Sequence, residues 1–253
     1  MSYSIGGNVT VMNAIEMDYP FQECIKSLLP VCDEVIVTDS DSTDGTREIL
    51  DKWAKVEPKL KILNLPWDNP VGKIDWVLDK ENYGRERLTT HYNLMLEADE
   101  ILHEDSYAEV LQAAQSPDSV KQCVRVNFWH DPQHLVPFGH LLSTKVIRMA
   151  PKVMWMPGDA PHPKGQYMMD RSVACGIRIM HYGYLRKDEA FYKKMIHLCT
   201  VMYGSADPTV LACQTAGILP KEINWFGDTK PETFTGTHPK LIHDWLRARG
   251  YTI

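Results

Sequence analysis

The chain has 253 residues, a net charge of −6 and a hydrophobic content of 44%, values that are ordinary for a soluble globular protein with a sizeable core. The acidic balance argues against a broad surface for nucleic acid or anionic lipid, no apolar run approaches the roughly 18 residues of a membrane span, and residues 1–7 lack the pattern of a signal peptide. Six cysteines are scattered without a Cys-x-x-Cys pair, so we expect free thiols in a reducing cytoplasm rather than disulfides or a zinc site.

The first half of the chain alternates between apolar runs and amphipathic segments. Strands are predicted at 8–14, 34–38, 60–65 and 91–96, and helices at 20–29, 44–55 and 75–88. Asp18 is the expected cap of the first helix, with Pro20 in its first turn. This alternation implies right-handed crossovers and a mostly parallel sheet.

The second half of the chain has a different pattern. Strands are predicted at 122–128, 145–150 and 176–181, and helices at 105–115, 188–203, 208–216 and 240–249. The segment 156–165 contains Pro, Gly and His and predicts irregular structure. There is no internal repeat, and no boundary that marks a second independent domain.

Two of the predicted strands end abruptly in carboxylates. The second strand leads into Asp39 and Asp41, and the fourth leads into Glu97 and Asp99. Open α/β sheets bind ligands beyond the carboxyl ends of their strands, so both clusters are expected to converge on one site. Crowded like charges are favourable only if a cation or a set of hydrogen-bond donors balances them.

A calcium loop is one alternative explanation of the first cluster. An EF-hand loop that began at Asp39 would need a carboxylate at position 5, Gly at position 6 and Glu at position 12. Thr43, Asp44 and Leu50 stand at these positions, so the pattern fails in three places.

Helix capping is the second alternative. Ser42 or Thr43 can begin the following helix, and Asp44 would then lie near the positive end of the helix dipole. Capping accounts for this part of the segment but leaves Asp39 and Asp41 unexplained.

Four segments together carry a family resemblance. They are Asn13-x-x-Glu16, the block 32–46 around the second strand, the tetrapeptide 97–100 (Glu-Ala-Asp-Glu) and the segment 181–186 (His-Tyr-Gly-Tyr-Leu-Arg). In this order the sequence resembles the family 2 glycosyltransferases of GT-A fold, and the last segment is similar to one in soluble bacterial members. Clear resemblance covers 9–105, with patches to about 190 and a similar stretch at 238–245.

The resemblance implies an α/β protein of GT-A fold, with a mostly parallel central sheet, flanking helices and a mainly helical C-terminal segment. Residues 1–190 would form the glycosyltransferase domain, with a nucleotide-sugar-binding half at 1–105 and an acceptor-binding half at 106–190. Residues 191–253 would be a helical extension packed on the same domain.

The resemblance also implies a divalent cation, Mn²⁺ or Mg²⁺, on the diphosphate of the donor. Transfer of a sugar from a nucleotide diphosphate creates negative charge on the leaving group, and a cation held by carboxylates stabilises that charge. Asp99 is the expected metal ligand and His181 the expected third ligand. Glu97 stands where the family's Asp-x-Asp motif has its first acid, so its contact could be to the metal or to the ribose.

A second set of residues is implied to bind the nucleotide sugar, with Asp39 accepting a hydrogen bond from the base, Glu16 lining the pocket and Arg186 reaching the diphosphate. The full set is Asn13, Glu16, Asp39, Asp41, Arg85, Glu97 and Arg186. An inverting enzyme also needs a general base within hydrogen-bond reach of the acceptor hydroxyl. Asp159 is the preferred candidate and Asp131 the second.

The predicted function is therefore metal-dependent transfer of a sugar from a UDP- or GDP-sugar to a hydroxyl of a glycan, lipid-linked glycan or protein, with inversion. A modified nucleic-acid base is an alternative acceptor. A sugar-phosphate nucleotidyltransferase is the rival enzyme class, although the segment 12–18 after the first strand is not the Gly-rich, basic loop that class uses. A catalytically inactive nucleotide-binding protein is the third alternative.

Overall fold

The computed structural model describes residues 3–66, 74–116, 119–136, 145–156, 168–219, 222 and 229–253. Its strands are β1 (Ile5–Val11), β2 (Glu34–Asp39), β3 (Leu60–Asn64), β4 (Tyr92–Glu97), β5 (Glu100–Leu102), β6 (Lys121–Trp129), β7 (Asp131–Leu135), β8 (Lys145–Pro151), β9 (Val173–His181) and β10 (Glu232–Thr233). Its α-helices are α1 (Phe21–Leu28), α2 (Thr46–Ala54), α3 (Ile74–Arg87), α4 (Tyr107–Ala113), α5 (Asp188–Tyr203), α6 (Pro208–Thr215) and α7 (His243–Arg247).

The described strands form one sheet with a parallel N-terminal part. The order along the sheet is β10-β7-β6-β8-β4-β1-β2-β3, and β9 pairs with both β5 and β6. β1 is parallel to β2 and β4, and β2 is parallel to β3. The second part is mixed, because β8 is antiparallel to β4 and β6 whereas β9 is parallel to β6. This mixed α/β architecture agrees with the predicted fold class.

The central strands are apolar because helices cover both faces of the sheet. Alternate residues of β1 face α1 on one side and α3 on the other. On the α3 side the backbone at Gly84 approaches β1 and β2 so closely that a Cβ there would clash with Asn8 and Thr38. With helices on both faces, β1 and β2 are buried almost throughout, which explains their near-continuous apolar sequence.

The C-terminal residues pack on the sheet beside β5 and β9. Ile242 and Leu246 join Phe128, Met180 and Tyr182 in a second buried apolar cluster. The predicted helix at 240–249 is a 3₁₀ turn (Lys240–Ile242) followed by the short α7. This packing carries the end of the chain back to the strand that ends in the 181–186 segment.

The structure corrects two predicted helix caps. Asp18 lies in the left-handed region (φ 54°), and its carboxylate accepts hydrogen bonds from Lys187 N and from Arg249, not from α1. Gly45 precedes α2 in place of Ser42 or Thr43. The side chains of Asp18 and Ser42 instead join separate loops of the fold. Local sequence patterns cannot distinguish this use from capping.

The described residues also bear on the composition-based expectations. None of the helices described is both long and apolar enough to cross a membrane. All six cysteines are free thiols, three of them buried and three half-buried. The predicted loop at 156–165 lies outside the described residues except for Met156.

Candidate active site

Glu97, Asp99 and His181 converge at the carboxyl ends of the central strands. β4 ends at Glu97, and after a tight turn β5 pairs antiparallel with β9 so that Glu100 lies opposite His181. The backbone N–H of Tyr182 then donates to the carbonyl of Asp99 at 2.9 Å. One ligand atom from each member of the trio lies within 4.8 Å of those of the other two, so these residues could hold a metal ion.

Two cations hold the buried carboxylate of Asp99. Its Oδ2 accepts from Arg186 Nη2 at 2.7 Å and from Lys194 Nζ at 2.8 Å. Burial alone would raise the pKa of Asp99, but the charge of Lys194, together with the other positive partners, holds the pKa well below its usual range. Asp99 is therefore ionised at neutral pH, as a metal ligand must be.

The space between Asp99 and His181 fits a shared cation. Asp99 Oδ1 lies 3.6 Å from His181 Nε2, and two ligands that are each about 2.1 Å from one ion can lie at most about 4.2 Å apart. A Cβ at Gly183 would lie 2.6 Å from His181 Nε2 and 2.8 Å from Asp99 Oδ2, so the gap depends on the missing side chain. Burial lowers the pKa of His181, which keeps the ring neutral and able to bind a metal.

Glu97 and Glu100 share one buried arginine. Arg148, fully buried on β8, donates to both carboxylate oxygens of Glu100 at 2.7 Å and to Glu97 Oε1 at 2.9 Å. Glu100 Oε2 also accepts from the backbone N–H of Glu97 at 3.0 Å. The Glu97 side chain remains 26% exposed, so the acid that departs from the family pattern lies at the rim of the site.

Hydrogen bonds join the loop after β1 to the loop after β2. Asn13 N donates to Ser42 Oγ and Thr43 N donates to Asn13 Oδ1, both at 2.8 Å. Glu16 N donates to Asp44 Oδ2 at 2.7 Å. The two loops therefore form one wall beside the strand ends, and Asp44 serves this wall as well as the first turn of α2.

Asp39 is the buried acid of this wall. Its Oδ2 accepts from Ser42 N at 3.4 Å and lies 3.7 Å from Arg47, while Oδ1 has no hydrogen-bond partner among the described residues. Burial raises the pKa of Asp39. Asp41, in the left-handed region with φ 54°, is exposed and accepts from Asn64 at 3.1 Å. Of the two acids, Asp39 is the one with a buried acceptor atom left to offer a ligand.

The two predicted arginines differ in their contacts: Arg186 binds Asp99, whereas Arg85 does not. Arg186 packs over Tyr19, and besides Asp99 it donates to two backbone carbonyls, those of Met17 and Gly183. Arg85, by contrast, donates to Asn82 Oδ1 and to the carbonyl of residue 152, where α3 meets the end of β8.

Of the two candidate general bases, the structure describes Asp131. Asp131 begins β7, and its carboxylate lies 2.8 Å from His134 Nδ1 and accepts from Gln133 N. The neighbouring Trp129 packs on Tyr184, whose ring lies 5.5 Å from that of His181. Asp159 lies outside the described residues.

The sequence analysis missed three cationic residues of the site. Lys194 and Lys193, both on α5, contact Asp99 and Glu16 respectively. Neither lysine belongs to a sequence motif. A charged residue on a helix is usually only solvated, so nothing in the sequence gives a reason to select them. Arg148 did leave a signal, since it is a lone charge in the otherwise apolar 146–151 run, and a buried charge has to be paired.

Comparison with known proteins adds a family match. Residues 19–135 match the family model described as glycosyl transferase family 2. A search of curated proteins finds no match.

Among solved structures, TarS (residues 1–349) from S. aureus has 16% identity and a TM-score of 0.46, over 87% of this chain and 71% of that chain. A protein described as a glucose-1-phosphate thymidylyltransferase, from Bacillus anthracis, has 8% identity and a TM-score of 0.48, over 74% and 94%. GalNAc-T7 has 12% identity and a TM-score of 0.39, over 59% and 26%. At these identities and TM-scores, such likenesses do not bear on activity. The matched segment, 117 of the 253 residues, spans α1 to β7 and includes both acidic strand ends, and this match identifies the protein as a glycosyltransferase.

Proposed function

We propose that this protein uses a divalent cation, Mn²⁺ or Mg²⁺, to transfer a sugar from a nucleotide-diphosphate sugar to an acceptor hydroxyl. The observation that carries the proposal is the convergence of Glu97, Asp99 and His181, which are brought together by the pairing of β5 with β9. The ion would be held by Asp99 and His181, with Glu97 at the rim, and would stabilise negative charge on the leaving diphosphate.

The donor side is assigned to residues 1–105. The unpartnered Oδ1 of Asp39 supports a hydrogen bond from a donor group on the base, such as the ring N–H of uracil or guanine, which favours UDP- or GDP-sugars. Asn13, Glu16 and Asp41 lie on the same wall. Arg186, next to Asp99, remains a proposed cation for the diphosphate, whereas the contacts of Arg85 support a structural role.

The acceptor side is assigned to residues 106–190, with 191–253 as an extension on the same domain. Asp159 and Asp131 remain the proposed general bases for transfer with inversion. The aromatic path from Trp129 through Tyr184 to His181 supports an acceptor that approaches past β6 and β7. We propose a glycan, lipid-linked glycan or protein acceptor in the cytoplasm, and a nucleic-acid base as the alternative.

The test is a screen of UDP- and GDP-sugars for release of free nucleoside diphosphate, with Mn²⁺, with Mg²⁺ and with EDTA. We expect release with at least one donor, loss of release with EDTA, and a fall of about 10²–10³ in turnover for Asp99→Asn. Release of pyrophosphate from a nucleoside triphosphate and a sugar 1-phosphate, with no release of nucleoside diphosphate from any nucleotide sugar, would identify a nucleotidyltransferase instead. No turnover with any donor, together with retained nucleotide binding, would identify an inactive binding protein.

A further inference from the structure

Lys194 is the cation of the Asp99 cluster that faces solvent. Its side chain is 22% exposed, whereas those of Asp99 and Arg186 are each 1% exposed. The ammonium lies 5.4 Å from the ring centre of Tyr19 and donates to Asp99 Oδ2 at 2.8 Å. Three acceptors, two backbone carbonyls and Asp99 Oδ2, fix Arg186, whereas Lys194 donates to Asp99 Oδ2 alone among the described residues.

A divalent cation and Lys194 compete for the same carboxylate. A cation bound to Asp99 and His181 would bring two positive charges to within a few Å of the Lys194 ammonium and the Arg186 guanidinium. The local acids already have cationic partners: Arg148 pairs with both Glu97 and Glu100, Arg125 lies 3.6 Å from Glu100, and Arg186 and Lys194 pair with Asp99. These three carboxylates are thus matched by four cations. A metal ion alone would therefore leave the cluster with excess positive charge, and a diphosphate would restore the balance.

We propose that Lys194 exchanges partners during donor binding: its ammonium leaves Asp99 Oδ2 when the divalent ion arrives and binds an oxygen of the donor's diphosphate. This inference rests on the proposed function. Lysine suits the role because its compact ammonium sits on a flexible stem, and the exchange requires no movement of Arg186. The metal ion and the nucleoside diphosphate should then bind with positive coupling, because each removes the charge imbalance that the other creates.

The experiment measures both affinities separately in Lys194→Met and in the wild-type protein. Mn²⁺ binding is followed by EPR of the free ion, with and without UDP or GDP, and nucleotide binding is followed by calorimetry at saturating Mn²⁺. In Lys194→Met we expect Mn²⁺ alone to bind about tenfold more tightly and the nucleoside diphosphate to bind about tenfold more weakly, so that their coupling falls. Lys194→Gln, which keeps a neutral donor near Asp99, should shift both affinities in the same directions.

Lys52→Met is the matched control, because Lys52 is an exposed lysine on α2 and its loss changes the net charge by the same amount. It should change neither affinity. If both Lys194 variants fold, as judged by their thermal unfolding, and bind Mn²⁺ and nucleotide as the wild type does, the exchange is refuted while the proposed function stands. Weaker Mn²⁺ binding in both variants would also refute it. A wild-type protein that binds no Mn²⁺ or Mg²⁺ would overturn the proposed metal site and the exchange together.

Discussion

Gly183→Ala tests whether a cation lies between Asp99 and His181. The new Cβ would lie 2.6 Å from His181 Nε2 and 2.8 Å from Asp99 Oδ2, so the two side chains would have to retreat by about 0.8 Å and about 0.6 Å to reach the ordinary contact distance of 3.4 Å. The φ of Gly183 lies outside the left-handed region, so alanine adds volume without backbone strain. Overpacking of this kind costs about 1–3 kcal/mol of stability.

The expected functional loss is much larger than the loss of stability suggests. The Cβ would crowd His181 Nε2, the atom that would face the ion, so Gly183→Ala should abolish Mn²⁺ binding and lower metal-dependent turnover by about 10²–10³. The assays are EPR titration of Mn²⁺, thermal unfolding without metal, and release of nucleoside diphosphate.

Gly6→Ala provides the matched control at the opposite end of β1. A Cβ there would clash even more closely with Leu88 and Thr90, so this variant should be destabilised by a similar mechanism. Because the carboxyl end of β1 is unaffected, its Mn²⁺ affinity should be that of the wild type. If Gly183→Ala folds and still binds Mn²⁺ with wild-type affinity, the ion does not lie between Asp99 and His181.

Three further predictions concern buried polar groups. Asp39→Ala should weaken nucleotide binding about tenfold by calorimetry, because the base loses a buried acceptor, and unchanged affinity would remove Asp39 from the binding site. Arg148→Met should lower the free energy of unfolding in urea by about 3–5 kcal/mol, because Glu100 loses the guanidinium that donates to both of its carboxylate oxygens. The double variant Arg148→Met with Glu100→Leu should recover most of this loss. Burial lowers the pKa of His238 from its ordinary 6.5 to about 4, and its neutral Nδ1 accepts from the Tyr182 hydroxyl. The unfolded chain therefore takes up more protons between pH 6.5 and 4, so stability should fall on acidification through that window, and His238→Gln should reduce this slope in thermal unfolding against pH.

The sequence predicted the N-terminal half of the fold well because local patterns determine it. The predicted strands and helices there lie within a few residues of β1 to β4 and α1 to α3. Parallel strands that are buried on both faces are continuously apolar, and in this chain acidic residues follow two of these apolar runs at their carboxyl ends. The short strands β5, β7 and β10 were missed, because two to five residues carry no reliable periodicity.

The sequence by itself determined which acids stand at the strand ends, since Asp39, Glu97 and Asp99 each follow an apolar run. Only the tertiary structure decided which cations meet them. Arg186 and Lys194 are 87 and 95 positions from Asp99 along the chain, and both reach it because β9 pairs with β5 and the chain then turns into α5. Such partners are fixed by strand register and by burial of charge, which depend on contacts between distant segments and leave no periodic trace in the sequence.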